Sequence, residues 1–185
     1  MPSVRRKNRP ALITALVTVS LLLSSEPLKS ITGTGTDPNV NASELKERMI
    51  NLDFRNKVVQ YATTMVGTRY HFGGCSPKSG FDCSGFTSFV LSKFDVTLPR
   101  TSGNQSSLGK AISFKDAQPG DLLFFGRGKN VEHVAIVVMN KDKELHMVHS
   151  SSSHGVMIED MRLSDYWKKR IMFAVDLASL TSERS

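Results

Sequence analysis

Cys83 is the residue of this sequence whose surroundings most clearly favour chemistry. It follows Asp82, which predicts the N-cap of a helix running from about Cys83 to Phe94. Unpaired N–H groups and the helix dipole at such a position favour the thiolate, so we expect a lowered thiol pKa. The same N–H groups are suited to hold a developing oxyanion. The alternative interpretation is a small buried core residue, the usual place of a free cysteine.

A pair of histidines, His133 and His149, lies on two neighbouring predicted strands. Centring the intervening hairpin turn on Lys141 makes them direct cross-strand neighbours on one face, and alternation puts His146 on the other face. A slip of one residue would separate the pair. With Cys83, the two histidines supply a nucleophile, a general base and a group that orients the base. Each histidine alone is also compatible with a half-buried structural residue.

A glycine-rich loop from Tyr70 to Gly80 precedes the cysteine. Gly73 and Gly74 permit backbone conformations closed to other residues and allow a ligand to approach closely. Tyr70 is expected to place a phenol near Cys83, with an ordinary rim aromatic as the alternative.

The elements that must position these residues fall into two halves. A short helix is predicted near Asn41, where Glu44 completes a capping box, and a longer amphipathic helix over Asp53–Val66, stopped by Gly67. After Pro99, β-branched and aromatic runs predict strands over 121–125, 133–139, 145–150, 155–158 and 171–177. Helices first and a meandering sheet second predict an α+β fold with an antiparallel sheet of about five strands.

Seven ordered blocks make the chain resemble the NlpC-type cell-wall cysteine peptidases, papain-like enzymes that cut peptide stems of bacterial peptidoglycan. The blocks are GTRYHFGG (67–74), GFDCSGF (80–86), LPRTSGNQ (98–105), PGDLLFF (119–125), HVAIVV (133–138), MVHSSSSHGV (147–156) and YWKKR (166–170). The resemblance covers about Phe54 to Asp176. It implies a papain-like NlpC-type fold in which N-terminal helices pack on the sheet.

The resemblance also implies roles for individual residues. The family's nucleophile, base and third polar residue fall on Cys83, His133 and His149. Tyr70 matches the family tyrosine near the oxyanion. The nucleophile-flanking pair is matched by Asp82 and Ser84, so we expect oxyanion or substrate contacts there.

Within the family, the chain is most similar to single-domain murein endopeptidases, some of which cleave the D-alanyl-diaminopimelate crosslink. Other members cut between D-glutamate and diaminopimelate and usually carry a separate wall-binding module, which does not fit in this sequence. The resemblance therefore favours crosslink cleavage, with γ-D-glutamyl-diaminopimelate cleavage as the alternative. It implies peptidoglycan stems as substrate, no cofactor and action as a monomer.

Two other classes of function stay open. One cysteine and two histidines can hold zinc with an open position, although no Cys-x-x-Cys or His-Glu-x-x-His spacing occurs. A catalytically silent wall-binding protein would be indicated by loss of one of the three polar residues, and all three are present.

Cys75 departs from the family pattern, which usually has a small non-thiol residue there. Two cysteines in an exported protein suggest a disulfide, but a stable Cys75–Cys83 bond would consume the nucleophile. We expect a free thiol, with a reversible bond as the alternative.

The net charge of +7 is concentrated at the start of the chain, where four basic residues precede the first acid, Glu26. The rest is nearly balanced, so no nucleic-acid partner is indicated. The basic opening and the uncharged run Ala11–Leu23 have the order of a secretory signal peptide. As helix the run spans only ~20 Å, shorter than the ~30 Å hydrocarbon core, which leaves an uncleaved membrane anchor as the alternative.

The resulting domain plan has four parts. Residues 1–25 are the predicted signal peptide, 26–52 a flexible tether with a short helix, 53–177 the catalytic domain and 178–185 a tail. Export to the periplasm or cell envelope of a bacterium is expected.

Overall fold

Residues 41–182 are described by the computed structural model of the chain. The predicted signal peptide, most of the predicted tether and the last three residues lie outside the described residues. Within the described range, no helix is both long enough and apolar enough to cross a membrane.

The first helix is longer than the sequence predicted. The described helices are α1 (Ala42–Thr63), α2 (Cys83–Ser92), α3 (Ser102–Gln105), α4 (Asp165–Lys168) and α5 (Leu177–Ser182). Asn41 caps α1 as expected, since its side chain accepts the Glu44 N–H at 2.8 Å. The expected second start at Asp53 is wrong, because α1 contains no glycine or proline that would interrupt it.

The predicted helix after Asp82 is confirmed. α2 begins at Cys83, and the Asp82 carboxylate accepts the Gly85 N–H at 2.7 Å. Phe86 and Val90 anchor this helix in the core, where both are fully buried. The first turn of α2 is therefore held in place by a cap and by packing.

The strands form one large antiparallel sheet and one small one. They are β1 (Cys75–Ser76), β2 (Gly80–Phe81), β3 (Ala111–Ile112), β4 (Leu122–Arg127), β5 (Asn130–Lys141), β6 (Glu144–Ser151), β7 (Gly155–Asp160) and β8 (Ile171–Val175). The large sheet has the order β3-β8-β4-β5-β6-β7, and β1 pairs with β2. The α+β prediction and all five predicted strands are confirmed. β3 adds a sixth strand, and β8 ends before Leu177, which begins α5.

The central strand β4 of the large sheet is buried on both faces. Leu122 and Phe124 of β4 pack with the buried side chains of α1 and α2. Leu123 and Phe125 point to the opposite face, where Trp167 covers the sheet. This explains why β4 is a continuous apolar run rather than an alternating one.

Arg55 ties α1 to the sheet by a buried ion pair. Its guanidinium binds the carboxylates of Asp121, next to β4, and Asp176, after β8. Asp121 also accepts the backbone N–H groups of Gln118 and Leu177. One buried charge cluster thus joins three parts of the chain.

The predicted register of the β5–β6 hairpin is wrong. The turn is centred on Asp142 and Lys143, which both have positive φ (54° and 69°), as a two-residue type I′ turn requires. A bulge at Val138 then shifts the ladder, so that Ile136 pairs with Val148. Continuing this register places His149 opposite Ala135, two residues from His133.

The predicted faces of the histidines are nevertheless confirmed. The turn alone would have put His133 and His149 on opposite faces, and the one-residue bulge restores them to the same face. His146 lies on the other face, where its Nε2 is 3.8 Å from the Asp160 carboxylate.

Candidate active site

A cavity of about 600 Å³ opens where β4 ends and β5 begins. Its walls include Tyr70, Cys83, His133, Trp167 and the consecutive serines 150–153. The structure therefore brings three of the predicted site residues, from the loop, from α2 and from β5, to one solvent-accessible space.

Close backbone packing positions Cys83. A Cβ on Gly85 would lie 2.0 Å from the Gly74 carbonyl oxygen, so the loop can approach the first turn of α2 only because glycine is there. The predicted close approach at Gly74 is thus to backbone rather than to a ligand. The Ser150 hydroxyl donates to the Phe81 carbonyl at 2.7 Å and fixes the segment before the cysteine against β6.

The Cys83 thiol has a raised pKa, contrary to the expectation from its helix position. Burial is the largest cause, and the Asp82 charge adds to it. The N–H groups of Val134, Ser84 and Cys83 itself bond the sulfur and oppose the shift without overcoming it. The resting side chain is therefore a thiol already surrounded by donors for a negative charge.

Asp82 and Ser84 lie behind the cysteine rather than on the cavity wall. Arg100 binds both oxygens of Asp82, at 3.0 and 2.6 Å, and also donates to the Ser84 hydroxyl at 3.1 Å. Burial alone would raise the pKa of Asp82, but Arg100 and the N–H groups of Gly85 and Gly73 hold it below its usual range. The carboxylate is thus committed to capping α2 and to this ion pair. A role in substrate binding stays a prediction.

His133 and His149 are hydrogen-bonded to each other. His133 Nε2 lies 3.0 Å from His149 Nδ1, and the rings meet almost at right angles. His149 is fully buried beneath His133, which lines the cavity. Burial against Trp167 and Phe125, helped by the neighbouring His149, lowers the pKa of His133 to about 3. His133 is thus a neutral acceptor at neutral pH.

The sequence-based prediction did not include the next two members of this chain of contacts. His149 Nε2 lies 3.0 Å from Glu159 Oε2, and the Trp167 indole N–H donates to the same oxygen at 2.8 Å. Burial lowers the pKa of His149, while the Glu159 charge and hydrogen bond oppose that shift. The predicted strand ended at Ile158, one residue short of Glu159, and only the resemblance drew attention to the block containing Trp167.

Tyr70 is half-buried on the cavity wall and joins the cysteine loop through a bridge to Phe81. Burial and the nearby Cys83 and Asp82 raise the pKa of its phenol. Tyr70 therefore keeps its proton at neutral pH and is available as a hydrogen-bond donor.

The two cysteines are free thiols, and Cys75 is exposed on β1. In the described part of the chain, no cluster of three His, Cys, Asp or Glu residues is arranged to hold a metal ion. His133 Nε2 and His149 Nδ1 face each other and form a hydrogen bond. The pair is therefore suited to holding His133 in one orientation as a base.

Comparison with known proteins identifies the family to which the chain is similar. The NlpC/P60 family profile matches residues 67–176, more than half of the chain. The bifunctional muramidase/DL-endopeptidase CwlT of Bacillus subtilis (strain 168) is 36% identical over 141 residues, covering 75% of this chain and 40% of CwlT. The murein DD-endopeptidase MepS/murein LD-carboxypeptidase of Escherichia coli (strain K12) is 36% identical over 128 residues, covering 69% of this chain and 65% of that protein.

A solved structure shows the same fold. The NlpC/p60 domain of the peptidoglycan hydrolase SagA superposes with a TM-score of 0.57 at 31% identity, covering 66% of this chain and 98% of that domain. The chain thus spans between 40% and 65% of the length of the two curated relatives, but nearly all of the solved domain.

Proposed function

The chain belongs to the NlpC/P60 family, and on that premise we propose that it is an exported cysteine endopeptidase that hydrolyses the peptide part of peptidoglycan. The observation that carries the proposal is the placement of Cys83 in one cavity with His133, whose far nitrogen is bonded to His149. A nucleophile, a base and a partner that orients the base are the parts of a thiol hydrolase.

Acylation begins with transfer of the thiol proton from Cys83 to His133 Nδ1, the nitrogen that does not face His149. The sulfur attacks the peptide carbonyl, and the carbonyl oxygen takes the negative charge. The N–H groups of Cys83 and Ser84 at the start of α2 and the Tyr70 phenol can donate hydrogen bonds to this oxyanion. His133 then gives its proton to the leaving amine, which departs and leaves a thioester.

Deacylation uses the same base. His133 takes a proton from water, and the resulting hydroxide attacks the thioester. As the acyl–sulfur bond breaks, His133 returns that proton to the Cys83 sulfur, and the acid product leaves as a carboxylate after losing its own proton to solvent. Because Cys83 and His133 are both neutral at rest, neither of them carries a charge in its buried position between turnovers.

The chemistry of the cavity suits a charged peptide stem. Arg170 offers a guanidinium for a substrate carboxylate, and Glu132 a carboxylate for an ammonium group. The serines 151–153 offer hydroxyls for the peptide backbone. Diaminopimelate carries both kinds of charge. We propose the D-alanyl-diaminopimelate crosslink as the scissile bond, in keeping with the name of the MepS relative.

A second candidate is cleavage between D-glutamate and diaminopimelate. The equally identical relative CwlT is named a DL-endopeptidase, and that name favours this alternative. The substrate chemistry is the same class in both cases, so the bond must be read from the products.

Digestion of purified peptidoglycan with the full-length protein, followed by mass analysis of the fragments, tests the proposal. Crosslink cleavage converts dimeric stems to monomers with intact tetrapeptides, whereas D-glutamyl cleavage leaves dipeptides on the glycan. Cys83→Ala is expected to release nothing, and Cys75→Ser, which removes the other thiol, to leave the products unchanged. Substantial release by Cys83→Ala would overturn the thiol mechanism.

Export is supported by the basic and apolar pattern of residues 1–25. Fractionation of a bacterial host that expresses the full chain is expected to place it outside the cytoplasm. Replacing Arg5, Arg6, Lys7 and Arg9 with glutamine should retain it inside; an unchanged distribution would contradict the signal-peptide interpretation.

A further inference from the structure

Glu159 receives two donors at a single carboxylate oxygen. His149 Nε2 lies 3.0 Å and the Trp167 indole nitrogen 2.8 Å from Oε2. The Glu159 side chain is 24% exposed, while that of His149 is completely buried. Glu159 also lines the cavity, so the bond between Glu159 and His149 joins a residue of the cavity wall to a fully buried imidazole.

These contacts run diagonally across three adjacent strands. Glu159 of β7 pairs with Met147, and His149 of β6 pairs with Met157, so Glu159 and His149 share a face two residues out of register. His133 of β5 stands in a similar diagonal relation to His149. Side chains of this length reach one another across such diagonals.

The chemistry of the Glu159 carboxylate and the two imidazoles permits only one order of protons when both histidines are neutral. An ionised carboxylate only accepts, so the proton of His149 must be on Nε2. His149 Nδ1 is then an acceptor, and His133 must donate to it from its own Nε2. The lone pair of His133 is consequently on Nδ1, the nitrogen that the proposed mechanism needs.

We propose that Glu159 is a positioning residue that sets the tautomers of His149 and, through it, of His133. This inference rests on the proposed function, which it deepens by explaining why the base nitrogen is unprotonated before attack. Without Glu159, either nitrogen of His149 can carry the proton, and half of the resulting arrangements put a proton on His133 Nδ1. The negative charge also favours the cation that His133 becomes during turnover.

Trp167 holds the carboxylate in the orientation that this role needs. The indole nitrogen can only donate, so the atom facing it must be an acceptor oxygen. The same ring packs on His133 at a tilt of 31°, with 4.6 Å between centroids, and meets His149 edge to face at 5.3 Å. Trp167 therefore fixes both the acceptor and the rings that depend on it.

Two substitutions of similar length separate hydrogen bonding from charge. In Glu159→Gln, Trp167 orients the amide oxygen toward itself and His149, so the tautomers are kept and only the charge is lost. In Glu159→Met, no acceptor is left. Asp160→Asn is the matched control, because the neighbouring carboxylate belongs to the other face and binds Arg162.

Nitrogen NMR of the full chain with ring-labelled histidine reads the tautomers directly. The wild type, Glu159→Gln and Asp160→Asn are expected to show unprotonated Nδ1 on His133 and His149, whereas Glu159→Met shows a mixture. On peptidoglycan fragments, Glu159→Met should lose kcat roughly 10- to 100-fold with little change in KM, the range typical of groups that orient a functional histidine. Glu159→Gln should lose less.

Wild-type tautomers in Glu159→Met would overturn the inference whatever the activity. If Glu159→Met does not fold, a second pair of variants tests the inference. Trp167→Phe with Glu159 intact should keep the tautomers, and Trp167→Phe combined with Glu159→Gln should scramble them, because the amide is then free to turn. Wild-type tautomers of His133 and His149 in the double variant would also overturn the inference. A wild type that has these tautomers but hydrolyses nothing would instead refute the proposed function alone.

Discussion

His133 Nε2 lies 3.0 Å from His149 Nδ1, although the two residues are not opposite each other in the β5–β6 ladder. The ring centroids are 5.1 Å apart and the rings are nearly perpendicular, so an edge nitrogen of one ring points at an edge nitrogen of the other. Trp167 packs against both rings. The pair is therefore restrained by packing as well as by its hydrogen bond, and its two members can be tested separately.

We expect His133→Ala to lose activity almost as severely as Cys83→Ala. Without the base, both thiol activation and protonation of the leaving amine lose assistance, which is typically worth ~10²- to 10⁴-fold in rate. The measurement is kcat on a stem-peptide substrate. A variant that retains half of the wild-type rate would identify another residue as the base.

His149 is expected to need a polar acceptor rather than a charge. His149→Gln and His149→Asn should keep measurable activity, because a side-chain carbonyl can accept the His133 N–H. His149→Ala should lose roughly 10- to 100-fold in kcat, because His133 is then free to rotate.

His146→Ala is the matched control for the His149 series, since His146 lies three residues away and on the other face. Its turnover should stay close to that of the wild type. Greater damage from His146→Ala than from His149→Ala would contradict the assignment of the third polar residue.

The pH dependence of activity should reflect a neutral resting pair. Burial lowers the pKa of His133 to about 3, well below its ordinary 6.5, so the base stays neutral and active as the pH falls through 6.5. We therefore expect kcat/KM to be flat between about pH 5 and pH 8. A profile that halves near pH 6.5 would mean that His133 titrates as an exposed histidine.

The rate of alkylation of Cys83 independently tests whether the resting side chain is a thiol. Because burial raises the pKa of Cys83 above its ordinary 9.0, the iodoacetamide rate should climb through pH 9 without a plateau at low pH. Cys75→Ser removes the exposed second thiol from the measurement. A pH-independent fast reaction would show a preformed thiolate instead.

The ion pair of Arg55 should matter for stability. Arg55→Met leaves the Asp121 carboxylate buried without its cation, which typically costs about 3–5 kcal/mol in free energy of unfolding. The measurement is urea denaturation of the full chain. Lys57→Met is the control, because Lys57 lies two residues after Arg55 on α1 and forms only an exposed ion pair with Asp53. The urea midpoint of this variant should be unchanged. Equal midpoints for both variants would contradict an anchoring role for Arg55.

Features that depend on neighbours in the chain were predictable from the sequence. The Asp82 cap and the start of α2 at Cys83 follow from local hydrogen bonding, and the strands follow from hydrophobic patterns interrupted by turn residues. The long α1 shows the limit of such signals, because the sequence predicted a short helix near Asn41 and a separate helix from Asp53, whereas the structure has one continuous helix.

The tertiary structure alone decided the contacts around the histidines. The turn at Asp142 and Lys143 alone would have put His133 and His149 on opposite faces, and the bulge at Val138 returns them to the same face. No residue type in the sequence predicts this bulge. Glu159 joins the site only because β7 lies beside β6 and α4 brings Trp167 over the same face. The raised pKa of Cys83 has the same origin: the helix start is a local feature that favours the thiolate, whereas the burial that outweighs it is produced by the whole fold.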